Sequence, residues 1–212
     1  MSTRTVSDRN DPVIEHRDQL IAPMIKGEKP IAQWKIGTEH EKFVFSEADH
    51  HAPSYDEPGG IRDLLLALTE FGWRPVEEGG KVIAMSGPDG TVSLEPAGQL
   101  ELSGDTLDNL HQTCAETGRH LQQVKAIGAK TGTGFLGLGL WPDKRREDMP
   151  IMPKGRYEIM LRHMPRVGSM GLASHVFARC RSNCANNQSN ALTQDSIVLL
   201  LPFNSKMAGW IE

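Results

Sequence analysis

The run Val92-Ser93-Leu94-Glu95-Pro96-Ala97-Gly98-Gln99-Leu100-Glu101-Leu102 constrains the fold more than any other part of this chain. Pro96-Ala97-Gly98 reads as a three-residue hairpin loop, with glycine where a positive φ is wanted. Such a loop fixes the register. With Glu95 opposite Gln99, period-two alternation puts Ser93, Glu95, Gln99 and Glu101 on one face, and Val92, Leu94, Leu100 and Leu102 on the other. The apolar face is expected to be core and the acidic face to be open.

A second acidic piece, Gly37-Thr38-Glu39-His40-Glu41-Lys42-Phe43, places Glu39 and Glu41 two apart, so both project to one side of whatever strand carries them. Phe43 and Phe45 share that parity while Trp34 and Ile36 do not, so either both faces are partly buried or a bulge intervenes. His40 lies between the two glutamates, must project the other way, and reads as a packing or hydrogen-bonding residue. Two readings of Glu39, Glu41, Glu95 and Glu101 stand side by side. Oxygen donors without a convergent Cys or His pair suit a hard ion such as magnesium, held between carboxylates and the phosphates of a nucleotide such as ATP. Alternatively, an antiparallel sheet simply shows water its polar face, and the carboxylates need no ligand.

Around these strands the pattern is α+β, with helices laid against an antiparallel sheet. Asp11-Pro12 fits the opening of a first helix that ends near Pro23 or Gly27. Ile61, Leu64, Leu65, Leu68 and Phe71 mark a second, closed by Gly72. Lys81 to Met85 is a further strand. A longer helix is expected from Thr106 to about Ile127, capped by Asp105, with Leu107, Leu110, Cys114, Leu121 and Val124 on its apolar stripe and Cys114 therefore buried. Thr133 to Leu140 alternates glycine with bulky residues in its second half, as a strand approached closely by another backbone would. No Gly-Lys-Ser or Gly-Lys-Thr follows it, which excludes a P-loop.

Local positive charge is concentrated in Lys144-Arg145-Arg146 and Lys154-Gly155-Arg156-Tyr157. Arg146, Lys154 and Arg156 are candidates for binding ATP phosphates or substrate carboxylates, since the guanidinium fork matches both; solvated surface charge is the plainer alternative. His111, His120 and His163 sit in helical patterns without partners and read as structural. A net charge of -4 gives no footprint for nucleic acid or an anionic membrane. Met1 to Asn10 has no apolar stretch that could form a signal-peptide core, and the longest apolar run, Ile197 to Leu201, is too short to cross a bilayer; a cytoplasmic address is expected. Three cysteines make neither a disulfide framework nor a four-ligand zinc site.

Four stretches carry a resemblance: Trp34-Lys35-Ile36-Gly37-Thr38-Glu39-His40-Glu41-Lys42-Phe43, Ser93 to Gly104, Leu110-His111-Gln112-Thr113-Cys114-Ala115-Glu116 and Met152-Pro153-Lys154-Gly155-Arg156-Tyr157. In order and spacing, from about Trp34 to Leu172, they resemble the plant and proteobacterial type of glutamate-cysteine ligase. The resemblance implies a glutamine-synthetase-like carboxylate-amine ligase architecture, with L-glutamate, L-cysteine and ATP as substrates and γ-glutamylcysteine, the first intermediate of glutathione synthesis, as product. It also implies Glu39, Glu41, Glu95 and Glu101 as magnesium ligands and no protein nucleophile. A related ligase with another amine acceptor, or a non-catalytic magnesium-ATP-binding remnant, would share the same acidic face. The resemblance stops at about Ala173, where Cys180 to Asn190 turns rich in Asn and Ser. Residues 1–172 are therefore expected to be the N-terminal part of the ligase catalytic domain, and residues 173–212 a divergent tail, out of frame and disordered. On that expectation the architecture is incomplete and the chain alone inactive.

Overall fold

A computed structural model describes residues 13–138 and 141–168. Six antiparallel strands form one sheet: β1 (Glu39–Ser46), β2 (Arg74–Glu78), β3 (Lys81–Gly87), β4 (Gly90–Leu94), β5 (Leu100–Ser103) and β6 (Thr133–Leu136), in the order β2-β3-β4-β5-β1-β6. Four α-helices accompany it, α1 (Arg17–Gly27), α2 (Ile61–Ala67), α3 (Leu110–Thr131) and α4 (Gly155–Val167). The expected α+β class is therefore observed, in an arrangement consistent with part of a ligase fold.

The hairpin has the predicted register. Ser93 faces Glu101 and Leu94 faces Leu100, while Glu95 N–H donates to the Gln99 carbonyl at 2.9 Å. Gly98 takes φ +82°, and a Cβ there would press on Ile61 and Met152 at 3.3 Å, so the turn requires glycine twice over. Val92, Leu94, Leu100 and Leu102 are buried under α2 and α3 in one core with Ile61, Leu64, Leu65, Val124 and Ile127. Each such side chain contributes about 1.5–3 kcal/mol by leaving water. The predicted second helix is α2, continued by a 3-10 turn over Leu68–Phe71 and stopped by Gly72 at φ +86°. The Lys81 strand appears as β3. β2 carries no strand signal in sequence because Pro75 interrupts it; at the edge of the sheet, proline costs no ladder bond on the solvent side.

Three expectations are corrected. α1 begins at Arg17 and passes through Pro23 to Gly27; Glu15 and His16 N–H both donate to the Gln19 side chain, which fixes its start. Asp11 and Pro12, its expected opening, lie outside the described residues, and Val13 and Ile14 precede it, exposed. α3 starts at Leu110, where Asn109 caps it by accepting from Gln112 N–H at 3.1 Å. Leu107 forms a bridge with Ile36 instead, and Asp105 N–H donates to Glu116 at 2.7 Å. The buried stripe of α3 is Thr113, Glu116, Thr117, His120, Val124 and Ile127, so Leu110 and Cys114 face out. Beneath the polar half of that stripe β1 presents His40 and Lys42, and polar groups are buried against polar groups. The strand expected over Thr133 to Leu140 is shorter, β6 ending at Leu136 before the glycine-alternating half; within it a Cβ on Gly134 would meet Phe45 at 2.1 Å, opposite it in the ladder. Residues 139 and 140, the Leu172 boundary and the tail over 173–212 lie outside the described residues.

Candidate functional site

β1 pairs through its first half with β5, and this brings the two acidic pieces together. Glu41 faces Glu101, Glu39 faces Ser103, and across β5 Ser93 donates its hydroxyl to Glu101 at 3.2 Å. Glu95 joins them from the hairpin end and shares a hydrogen bond with Glu101. All four predicted carboxylates thus gather on one face, the face that also carries Phe43.

That face is not open. Glu41 is 5% exposed and Glu101 1%. Phe43 packs edge-on against Trp141 with ring centroids 5.0 Å apart, and Ala97, Trp141 and Met149 complete a second apolar cluster beside the carboxylates. Met152 N–H donates to the Pro96 carbonyl at 2.9 Å, tying the segment after Trp141 over the hairpin loop. Of the two readings left by the parity of Phe43, burial of both faces is the one observed.

Burying like charges together has a measurable consequence. Glu41 is pushed up to about 8, by burial first and then by the charges of Glu101, Glu95 and Glu39. Glu95 is raised to about 7 by burial and by Glu101, against the opposing pull of Arg156 and Lys154. Glu41 Oε2 is buried with no hydrogen-bond partner among the described residues. A cation would relieve each of these strains. Among the described residues no group of three or more His, Cys, Asp or Glu side chains could hold a metal ion. Magnesium does not ask for one: it is usually bound by one or two carboxylates, with waters and substrate phosphates completing its octahedron. The oxygen-only pairs Glu41/Glu101 and Glu95/Glu101 fit that ion in kind and in number.

The start of α4 supplies positive charge. Arg156 donates from Nη2 to Glu95 Oε1 at 3.2 Å and to the Tyr157 hydroxyl at 2.9 Å, and its side chain is 39% exposed. Lys154 is buried, donates to the Leu94 carbonyl at 2.6 Å, and is pushed down to about 8 by burial and the Arg156 charge. Arg146 is exposed and, among the described residues, its side chain pairs with its neighbour Glu147, at 3.9 Å. Lys154 and Arg156 therefore stand at the acidic face, and Arg146 is not drawn into it. Tyr157 belongs to the same group although its residue type alone suggested no role; its place directly after Arg156 in the Lys-Gly-Arg-Tyr run was the available signal.

On the opposite face of β1, His40 and Lys42 contact one another, Nδ1 to Nζ at 3.0 Å, so His40 is the hydrogen-bonding residue its parity predicts. His40 is lowered to about 3 and His120 of α3 to about 2, in both cases by burial first and then by the Lys42 charge.

Residues 35–183, which include all six strands and the whole Glu39–Tyr157 arrangement, match the model of glutamate-cysteine ligase family 2. The chain belongs to that family. It is 52% identical over 166 residues to glutamate–cysteine ligase A, chloroplastic, of Oryza sativa subsp. japonica, a match covering 77% of this chain and 33% of the relative. Against the chloroplastic glutamate–cysteine ligases of Brassica juncea and Arabidopsis thaliana it is 51% and 50% identical over 157 residues, covering 74% of this chain and 30% of each. The chain thus spans about a third of the length of the curated relatives it matches. These relatives are chloroplastic by name, which points to a plastid and overturns the cytoplasmic expectation. That expectation failed because plastid leaders are amphipathic and Ser-rich, so the lack of an apolar core argues only against a secretory one. Among the described residues no helix is long and apolar enough to cross a membrane.

Proposed function

We propose that residues 1–172 are the N-terminal part of a ligase catalytic domain that joins the γ-carboxylate of L-glutamate to the amine of L-cysteine at the expense of ATP. The observation that carries this reading is the buried pairing of Glu41 with Glu101, flanked by Glu39 and Glu95 and faced by Arg156. In the reaction, a γ-carboxylate oxygen attacks the terminal phosphorus and ADP leaves; the cysteine amine then attacks the acyl carbon and phosphate leaves. No protein nucleophile takes part, so positioning and electrostatics supply the catalysis. Glu39, Glu41, Glu95 and Glu101 would hold magnesium, which when bound neutralises charge on the transferred phosphoryl group. Arg156 meets an anionic oxygen of the nucleotide or of glutamate. Burial of the face excludes water that would hydrolyse an acyl phosphate.

Because the chain spans a third of its relatives' length, these residues are assigned the metal and phosphate side of the reaction, and the chain alone is expected to release little or no ADP when given glutamate and cysteine. Isothermal titration of the full chain with magnesium-ATP tests the reading. Binding should occur and should weaken at least ten-fold in Glu41→Gln with Glu101→Gln, a loss of about 1.4 kcal/mol or more. Absence of binding, or binding indifferent to the two carboxylates, would overturn it.

A further inference from the structure

Leu94, the last residue of β4, precedes Glu95, and its carbonyl oxygen receives two donors from the start of α4: Lys154 Nζ at 2.6 Å and the Tyr157 hydroxyl at 2.6 Å. A carbonyl has two lone pairs, and both are engaged. The next residue is pinned as well, since Glu95 N–H donates to Gln99 and the Glu95 carbonyl accepts from Gly98. The main chain at Glu95 is therefore held on every side. Tyr157 does a second thing with the same oxygen. While its proton goes to Leu94, its lone pair accepts from Arg156 Nη2 at 2.9 Å, the nitrogen that also reaches Glu95. The Arg156 guanidinium lies over the Tyr157 ring at 4.9 Å. Tyr157 is buried, whereas Arg156 is more than a third exposed.

We propose that Tyr157 is a positioning residue for the acidic face: it fixes Arg156 against Glu95 while it and Lys154 anchor α4 to the Leu94 carbonyl. In this division of labour Lys154 and Tyr157 touch the protein, and Arg156 touches the ligand. Pre-organising the fork in this way spares the rotamer entropy that an exposed arginine otherwise loses on binding a phosphate or carboxylate. The choice of ligand rests on the ligase reading above; the positioning of Arg156 does not.

Two measurements on the full chain separate the two. In a sample with 15N-labelled arginine, the Arg156 guanidinium signals, assigned by their loss in Arg156→Lys, should show hindered rotation and slow proton exchange, and both should vanish in Tyr157→Phe. That variant keeps the ring and its stacking, so a purely structural tyrosine would leave the signals alone. Unchanged signals overturn the proposal whether or not a nucleotide binds. The second measurement is a double-mutant cycle on magnesium-ATP affinity. Tyr157→Phe should weaken binding about ten-fold in the parent chain and not at all in Arg156→Gln, because one lost charge-assisted bond accounts for both effects. Additive losses would show that Tyr157 acts independently of Arg156 and would end the proposal. Arg156→Lys, at a partly exposed position, serves if Tyr157→Phe does not fold: it keeps the charge but lacks the fork, and should show the same ten-fold loss. Affinity unaltered in Arg156→Lys would count against the proposal.

Discussion

The two faces of β1 are built from alternate residues of one strand and solve opposite problems. Glu39, Glu41 and Phe43 point to the side covered by Trp141; His40, Lys42 and Val44 point toward α3. Both sides are buried. On the α3 side the two imidazoles stay neutral far below their usual range and Lys42 bonds to His40 Nδ1 and to the His40 carbonyl at 2.9 Å, while both ring nitrogens of His120 lack a hydrogen-bond partner among the described residues. On the other side Glu41 and Glu95 retain protons to unusually high pH, first because they are buried and then because neighbouring carboxylates repel them. One layer keeps its imidazoles neutral, while the other gathers carboxylates that a counter-ion would relieve. Burial alone does not mark a functional face; unresolved charge within the buried layer does.

The largest effect that could break this comparison is in packing. Phe43→Ala should cost about 3–5 kcal/mol in urea unfolding, as much as truncating a large apolar residue in the α2–α3 core. A cost under about 0.5 kcal/mol, usual for surface sites, would mean that the acidic face is open after all.

Next in size is the pH dependence. His40 and His120 have folded pKa values depressed below 6.5, so the unfolded chain binds more protons; their contribution is present above about pH 6.5 and is lost as pH falls. Glu41 and Glu95 have folded values raised above 4.5, so their contribution is present at low pH and lost as pH rises through about 7 and 8. Melting temperature against pH should therefore fall on both sides of a maximum in the mildly acidic range. Magnesium chloride should restore only the alkaline side, with protons released on binding near pH 7. Equal action of magnesium on both arms would dissolve the distinction between the layers.

The smallest effect concerns Cys114. Cys114→Ser should change stability by less than about 0.5 kcal/mol, and the thiol should react with Ellman's reagent in the folded chain. A slow, unfolding-limited reaction would put the buried stripe of α3 back where the leucines suggested.

What could be read from sequence was local. Pro96-Ala97-Gly98 sets a register within a few residues, and the alternation around it needs no knowledge of the rest of the chain. The four glutamates were found the same way, by parity within two short pieces. The covering of their face was not legible, because Trp141 and Met149 come from far down the chain and no local period announces where they pack. The face of α3 was misjudged for a related reason. Leucine and cysteine look more apolar than threonine, glutamate and histidine, but the side a helix buries is decided by what lies beneath it, and beneath α3 lie His40 and Lys42. Arg146 and Lys154 looked alike as basic residues in loops; only the fold separates an exposed arginine from a lysine seated on the Leu94 carbonyl.

β1 has one further property. Its first half is paired by β5 and its second half by β6, so Phe43 waits for Leu136 and Glu41 for Glu101. During synthesis this strand leaves the ribosome long before either partner exists, carrying Phe43, Val44 and Phe45 with its hydrogen-bonding edges unmatched. Non-local pairing of this kind folds slowly and leaves sticky edges in the meantime. The strand that contributes two of the four carboxylates is thus made early and finished late, and a nascent chain halted before β6 would be the form most in need of a chaperone.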